Sequence, residues 1–169
     1  MGQKELLQEF IEIEHADTEK KNRQTSSRSR VFQPLKVEWD RWLQNLDLNY
    51  TTYISFYLRD WPAICFGRKD ILGEGFVNGP TLKQKMGVYI WLGYSWRDSL
   101  FVLRIGHSTN PLPQKCAALE TLFTGLPHGY KYEKVYPDLA TLQENFLYDF
   151  VALVKVFNAV PREDFLLKV

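Results

Sequence analysis

The chain is expected to fold as an α+β domain, a small and mostly antiparallel sheet flanked by helices, with a helical region at its N-terminus. Three observations carry this expectation. Apolar residues recur at helical spacing near both ends of the chain. Runs rich in β-branched and aromatic residues fill much of the middle. Two of those runs, 87–94 and 100–106, are separated only by a short polar turn, the arrangement that joins antiparallel neighbours.

Taken in order, residues 3–21 place Leu6, Leu7, Phe10, Ile11 and Ile13 on one helical stripe. Asn22–Arg30 is rich in Ser, Gln and Arg and reads as a loop. Beyond Pro34, Val37, Trp39, Trp42, Leu43 and Leu46 suggest a second, short helix. Residues 50–58, YTTYISFYL, favour a strand. Glycines 73, 75, 79 and 87, with Pro80, mark a loop. GVYIWLGY (87–94) and LFVLRIG (100–106) then read as paired strands about the turn SWRDS (95–99). A polar loop holding two prolines (107–113) leads to a short helix over Gln114–Phe123, ending at Gly125. YKYEKVY (130–136) alternates as a strand does, with Lys131, Glu133 and Val135 on one face. A long helix follows over Asp138–Asn158, opened by Asp138 as N-cap and stopped before Pro161. No internal repeat is present.

At 169 residues the chain can bury a core without covalent staples. Its five Trp, nine Tyr and eleven Phe exceed ordinary usage; filling a core is their commoner use, stacking on bases the other. Cys65 and Cys116 lie far apart without metal-ligand spacing, which argues against a disulfide framework or structural zinc and for a reducing compartment. The acidic, amphipathic N-terminus does not resemble a secretory signal, and no apolar run approaches membrane-spanning length. A soluble, cytoplasmic protein is expected. Net charge is only +1, but it is unevenly distributed. Residues 1–19 carry Glu5, Glu9, Glu12, Glu14, Asp17 and Glu19, whereas 20–36 carry Lys20, Lys21, Arg23, Arg28, Arg30 and Lys36 with no acid. Those six cations are candidates for contacting DNA phosphates, with a solvated arm as the plain alternative.

Gly87-Val88-Tyr89 on one strand, Arg104-Ile105-Gly106-His107-Ser108 closing its partner, and Glu144 on the last helix form an ordered set. Over residues 87–158 this set resembles the GIY-YIG nuclease superfamily, in the variant where a cation replaces the second-motif tyrosine. Lys115 lies where such enzymes place an arginine, and LFTGLP (122–127) resembles the stretch after the helix in phage-type members. The resemblance implies a division into an N-terminal helical, DNA-recognising region (1–80) and a catalytic core (81–169). It also implies metal-dependent hydrolysis of double-stranded DNA by a restriction-type endonuclease, in a bacterial or phage-infected cell. A homodimer would cut both strands.

The chemistry gives each residue a role. Glu144 would hold one Mg²⁺ (or Mn²⁺) beside the scissile phosphate. Tyr89 would contact or deprotonate the attacking water, helped by neighbouring cations, since a phenol of pKa near ~10 is otherwise a poor base. Arg104 and Lys115 would clamp phosphate oxygens, and His107 would share proton transfer. The plain alternatives are a packed Tyr89, a turn-capping His107 and a solvated Glu144, with Asp149 or Glu120 as rival ligands. Arg104 in an apolar strand needs a partner in any case.

A second resemblance points elsewhere. DWPAICFG, LGEG and GVYIWLGYSWRDSLFVLRIGHS are similar to the N-terminal DNA-binding domain of McrB-type modification-dependent restriction systems. Trp61 and Tyr89 would then line a pocket for a flipped, modified base, and no active site would be required.

Overall fold

The computed structural model of the chain describes residues 1–19, 25–55, 61–74, 87–107, 116–125 and 129–165, with side chains for all of these except 15–19, 25–31 and 55. Two long helices, α1 (Gln3–Glu19) and α2 (Thr25–Asn45), precede strands β1 (Tyr50–Ser55) and β2 (Ala63–Arg68). A single helical turn, α3 (Lys69–Leu72), follows. The hairpin β3 (Val88–Ser95) and β4 (Leu100–His107) comes next, then α4 (Ala117–Leu122) and a two-residue pairing of β5 (Phe123–Thr124) with β6 (Gly129–Tyr130). β7 (Glu133–Tyr136), α5 (Leu139–Asn158) and a 3-10 turn over Arg162–Phe165 complete the order. The main sheet runs β1-β2-β3-β4-β7, and all of its pairs are antiparallel. The α+β architecture expected from the sequence is therefore the one observed.

Alternation along the strands separates two faces. Ile64, Phe66, Val88, Ile90, Leu92, Leu103 and Ile105 are buried on the inner face, against the helices. There Trp39 of α2 meets Phe66 at 5.4 Å and Phe146 of α5 at 5.9 Å, edge to face. Phe66 also meets Phe150 at 4.9 Å. Each such fully buried side chain contributes roughly 1.5–3 kcal/mol relative to exposure, so this aromatic seam holds α2 and α5 to the sheet. Leu6, Leu7 and Phe10 of α1 complete the helical layer, with Phe10 against Phe32 at 5.8 Å.

Four features differ from the sequence expectation. The segment read as a loop over Asn22–Arg30 joins α2 from Thr25 onward, and Pro34 lies inside that helix. Proline costs a helix interior about 3 kcal/mol, but Phe32, Leu35, Trp39 and Leu43 are all buried on one stripe of α2, which outweighs it, while Pro34 faces solvent. β2 and α3, for which no element was expected, supply a fully buried central strand, whose continuous apolar run hides the alternation that marks half-buried strands. The expected strand 130–136 is split, its first residue pairing with Phe123 and only Glu133–Tyr136 joining the main sheet. The sheet also crosses the expected division at residue 80, since β2 pairs directly with β3.

Both edges of the helical layer are pinned. Asp40 of α2 accepts from the Thr52 N–H at 2.9 Å and from Thr52 Oγ1 at 2.7 Å, closing the β1 edge. At the far end, buried Arg68 donates to the Phe157 carbonyl at 3.0 Å and the Val160 carbonyl at 2.7 Å, and it pairs with Asp70. A cation there supplies a donor to two carbonyls at and just beyond the C-terminal end of α5 and complements the helix dipole. Asp138 caps the other end of α5, as expected, accepting from the Thr141 N–H at 2.7 Å. That bond holds the Asp138 carboxyl below the usual carboxylate range.

Candidate nucleic-acid interface

The outer face of the sheet is built from the residues that alternate with the core. Register places Tyr89 opposite Gly106, Trp91 opposite Arg104 and Gly93 opposite Val102 on β3 and β4. The same face continues through Cys65, opposite Trp91, and Tyr53, opposite Cys65. On the other side it continues through Glu133, opposite Arg104.

On this face the aromatic rings and the arginine form a connected row. Trp61 meets Trp91 at 5.8 Å. The Arg104 guanidinium carbon lies 4.4 Å from the Trp91 ring centroid and 3.6 Å from that of Tyr130. The two-residue pairing of β5 with β6 brings Tyr130 there. Glycine makes the row possible, because a Cβ at Gly93 would lie 1.9 Å from the Trp91 ring. The indole therefore lies along the strand over Gly93 instead of standing off the sheet. Arg104 Nη1 donates to Glu133 at 3.2 Å, and its Nε is buried without a hydrogen-bond partner. Tyr130 and Tyr53 are exposed, and Trp61, Tyr89 and Trp91 are half-buried.

The sequence-derived candidates fall in different places. Tyr89, Arg104 and Trp61 share the outer face. His107 does not; it pairs with Val88 and its ring meets Phe123 edge-on at 4.8 Å, on the side of the apolar packing. Glu144 is exposed on α5, the helix that covers the inner face. A metal-binding Glu144 acting with Tyr89 and Arg104 would need all three on one side of the sheet. Among the described residues no three His, Cys, Asp or Glu side chains converge as a metal site. The donors in view do not fit a shared Mg²⁺ and phosphate site. The rival ligand Asp149 is buried and accepts from Tyr136 Oη. Burial, together with that bond, raises the Tyr136 phenol well above its ordinary value.

Of the basic segment, Lys20, Lys21 and Arg23 lie outside the described residues, as does Lys115. Arg28 and Arg30 lie on the first turns of α2. Lys36 forms an ion pair with Asp40 at the α2–β1 joint. A groove of about 810 Å³ along α1 is lined by Glu5, Glu9 and Glu12 with Lys4, a net negative charge that disfavours phosphate. Lys131 also lies 5.6 Å from the Tyr132 ring, but the outer sheet face is where several aromatic rings and a guanidinium form a connected row.

Sequence reasoning missed Trp91, Tyr130 and Glu133. The signal for Trp91 was present, because a hairpin turning on Arg97-Asp98 puts Trp91 opposite Arg104. Tyr130 and Glu133 depend on where the strand 130–136 divides, which no local pattern shows. No family model, no curated protein and no solved structure matches the chain. Among the described residues no helix is long and apolar enough to cross a membrane.

Proposed function

We propose that this chain is a DNA-binding module that takes up an unpaired or extruded base on the outer sheet face, rather than a nuclease in its own right. The observation that carries this reading is the row Trp61–Trp91–Arg104–Tyr130, in which rings and a guanidinium lie side by side on one face. Aromatic planes receive a base by stacking, at about 1–3 kcal/mol per base, and the cation beside them draws in the phosphate. Extruding a paired base from a duplex costs a few kcal/mol, least where the base is mismatched, damaged or modified. The two magnitudes are similar, so a face of this kind favours bases already loosened. On this reading Tyr89, which shares the face opposite Gly106, would form one wall and Trp61 another, as the second sequence resemblance implies.

The endonuclease reading implied by the first resemblance is less favoured, because its residues are divided between the two sides of the sheet. A binding titration separates the two. Duplexes with one mismatched or one modified base, and fully paired controls, are titrated with and without Mg²⁺. The base-reading account expects metal-indifferent binding that favours the loosened base and weakens about tenfold in Trp61→Ala. Metal-dependent fragments that disappear in Glu144→Ala would restore the nuclease.

A further inference from the structure

Arg104 is the cation of the outer face, yet its charge is already answered. Its guanidinium is flanked by Trp91 and Tyr130, so its ring-facing directions are occupied and hydrogen bonding is left to its edge. On that edge Nη1 meets Glu133 at 3.2 Å, with the two side chains 24% and 36% exposed. Glu133 stands on the edge strand β7, directly opposite Arg104 in register, and the carbonyl of Tyr132 just before it accepts from the Ile105 N–H at 3.2 Å. The carboxylate therefore sits at the solvent side of the row, where an incoming phosphate would approach Arg104. A carboxylate and a phosphate oxygen make the same charge-assisted bond to a guanidinium, so they compete for one edge.

We infer that Glu133 is an internal competitor for nucleic-acid phosphate, masking Arg104 in the free protein and yielding it when DNA binds. This inference rests on the proposed DNA-binding role of the face and adds to it a residue that sets affinity and salt response. In the wild type a phosphate must displace Glu133 and then lie beside its negative charge. Removing that charge unmasks the arginine without altering the shape of the site.

The test is a salt titration of fluorescently labelled DNA with the full chain, comparing wild type, Glu133→Gln, Arg104→Ala and the double variant. Glu133→Gln is expected to bind about five- to tenfold more tightly at low salt. Its log affinity should fall more steeply with log salt, by up to about 0.9, the slope of one additional neutralised phosphate. In the Arg104→Ala background the same substitution should change affinity less than twofold, because there is no longer an arginine to unmask. If wild type binds but Glu133→Gln binds no better, Glu133 only holds Arg104 in place and the inference fails alone. An equal gain with and without Arg104 would also overturn it, since the effect would then be general repulsion. If wild type binds no nucleic acid, the DNA-binding reading and the inference both fall. Thermal melting of each variant confirms that the chain is folded.

Discussion

Two glycines on the outer face make opposite predictions at the scale of single residues. Gly93→Ala would put a methyl 1.9 Å from the Trp91 ring, so the indole must swing off the sheet and leave Arg104. DNA affinity should then fall about as far as in Trp91→Ala, a loss of roughly 1–3 kcal/mol for one stacked base. Gly106→Ala, on the same face, meets only Trp91 Cβ at 3.8 Å among the described residues and should leave affinity within about twofold. Parallel binding titrations check the contrast, and equal effects would remove Trp91 from the binding account. The sequence made Tyr89 and Arg104 visible because they sit in motif-like tripeptides. Trp91 was harder to single out, since in VYIWLGY every residue is apolar, aromatic or glycine and the inner and outer faces look alike. Glu144 stood out for its place in the chain order, which does not record the side of the sheet on which a helix packs.

At the scale of elements, helix and strand identity was largely legible, and the exceptions have physical causes. The stripe in α1, the N-cap of α5 and the β3–β4 hairpin all rest on local signals, and each is present. The start of α2 was hidden because a proline and a Ser/Arg-rich stretch argue locally against helix, while buried Phe32 and Leu35 argue for it only in the folded chain. Pro34→Ala should accordingly raise stability by about 1–3 kcal/mol, read as a higher urea midpoint, by restoring a helical N–H at an exposed position. Arg68 works in the opposite direction. Arg68→Ala would remove the side-chain donor to the Phe157 and Val160 carbonyls and the ion pair with partly exposed Asp70, at a cost of about 1–3 kcal/mol. A midpoint unchanged in Arg68→Ala would mean that the C-terminal end of α5 is held by its aromatic contacts alone.

Across the whole molecule, one core runs from α1 to Phe165, and β2 joins β3 in a single sheet. The division expected near residue 80 would cut that sheet and strip Trp39 and Phe66 from Phe146 and Phe150. A fragment of residues 81–169 should therefore show no cooperative unfolding transition. The buried acids predict an alkaline limit. Burial raises the Tyr50 and Tyr136 phenols and the Cys65 thiol above their ordinary values. The unfolded chain, by contrast, ionises near pH ~8.5 for the thiol and ~10 for the phenols. Their stabilising contribution is complete below those unfolded values and is lost as pH rises from there toward the raised folded ones. Urea midpoints should fall between about pH 8.5 and 11, and a flat profile would contradict the burial of these groups.

The central claim, that the outer sheet face receives a loosened base, is tested most directly by one comparison made in chelator. The affinities of wild type and Trp91→Ala are measured for a duplex carrying a single mismatched or modified base and for its fully paired counterpart. The account predicts that wild type prefers the loosened duplex by about tenfold or more and that Trp91→Ala loses most of this preference while still melting cooperatively. Equal affinity of the wild type for both duplexes, or a preference that survives Trp91→Ala, would contradict it.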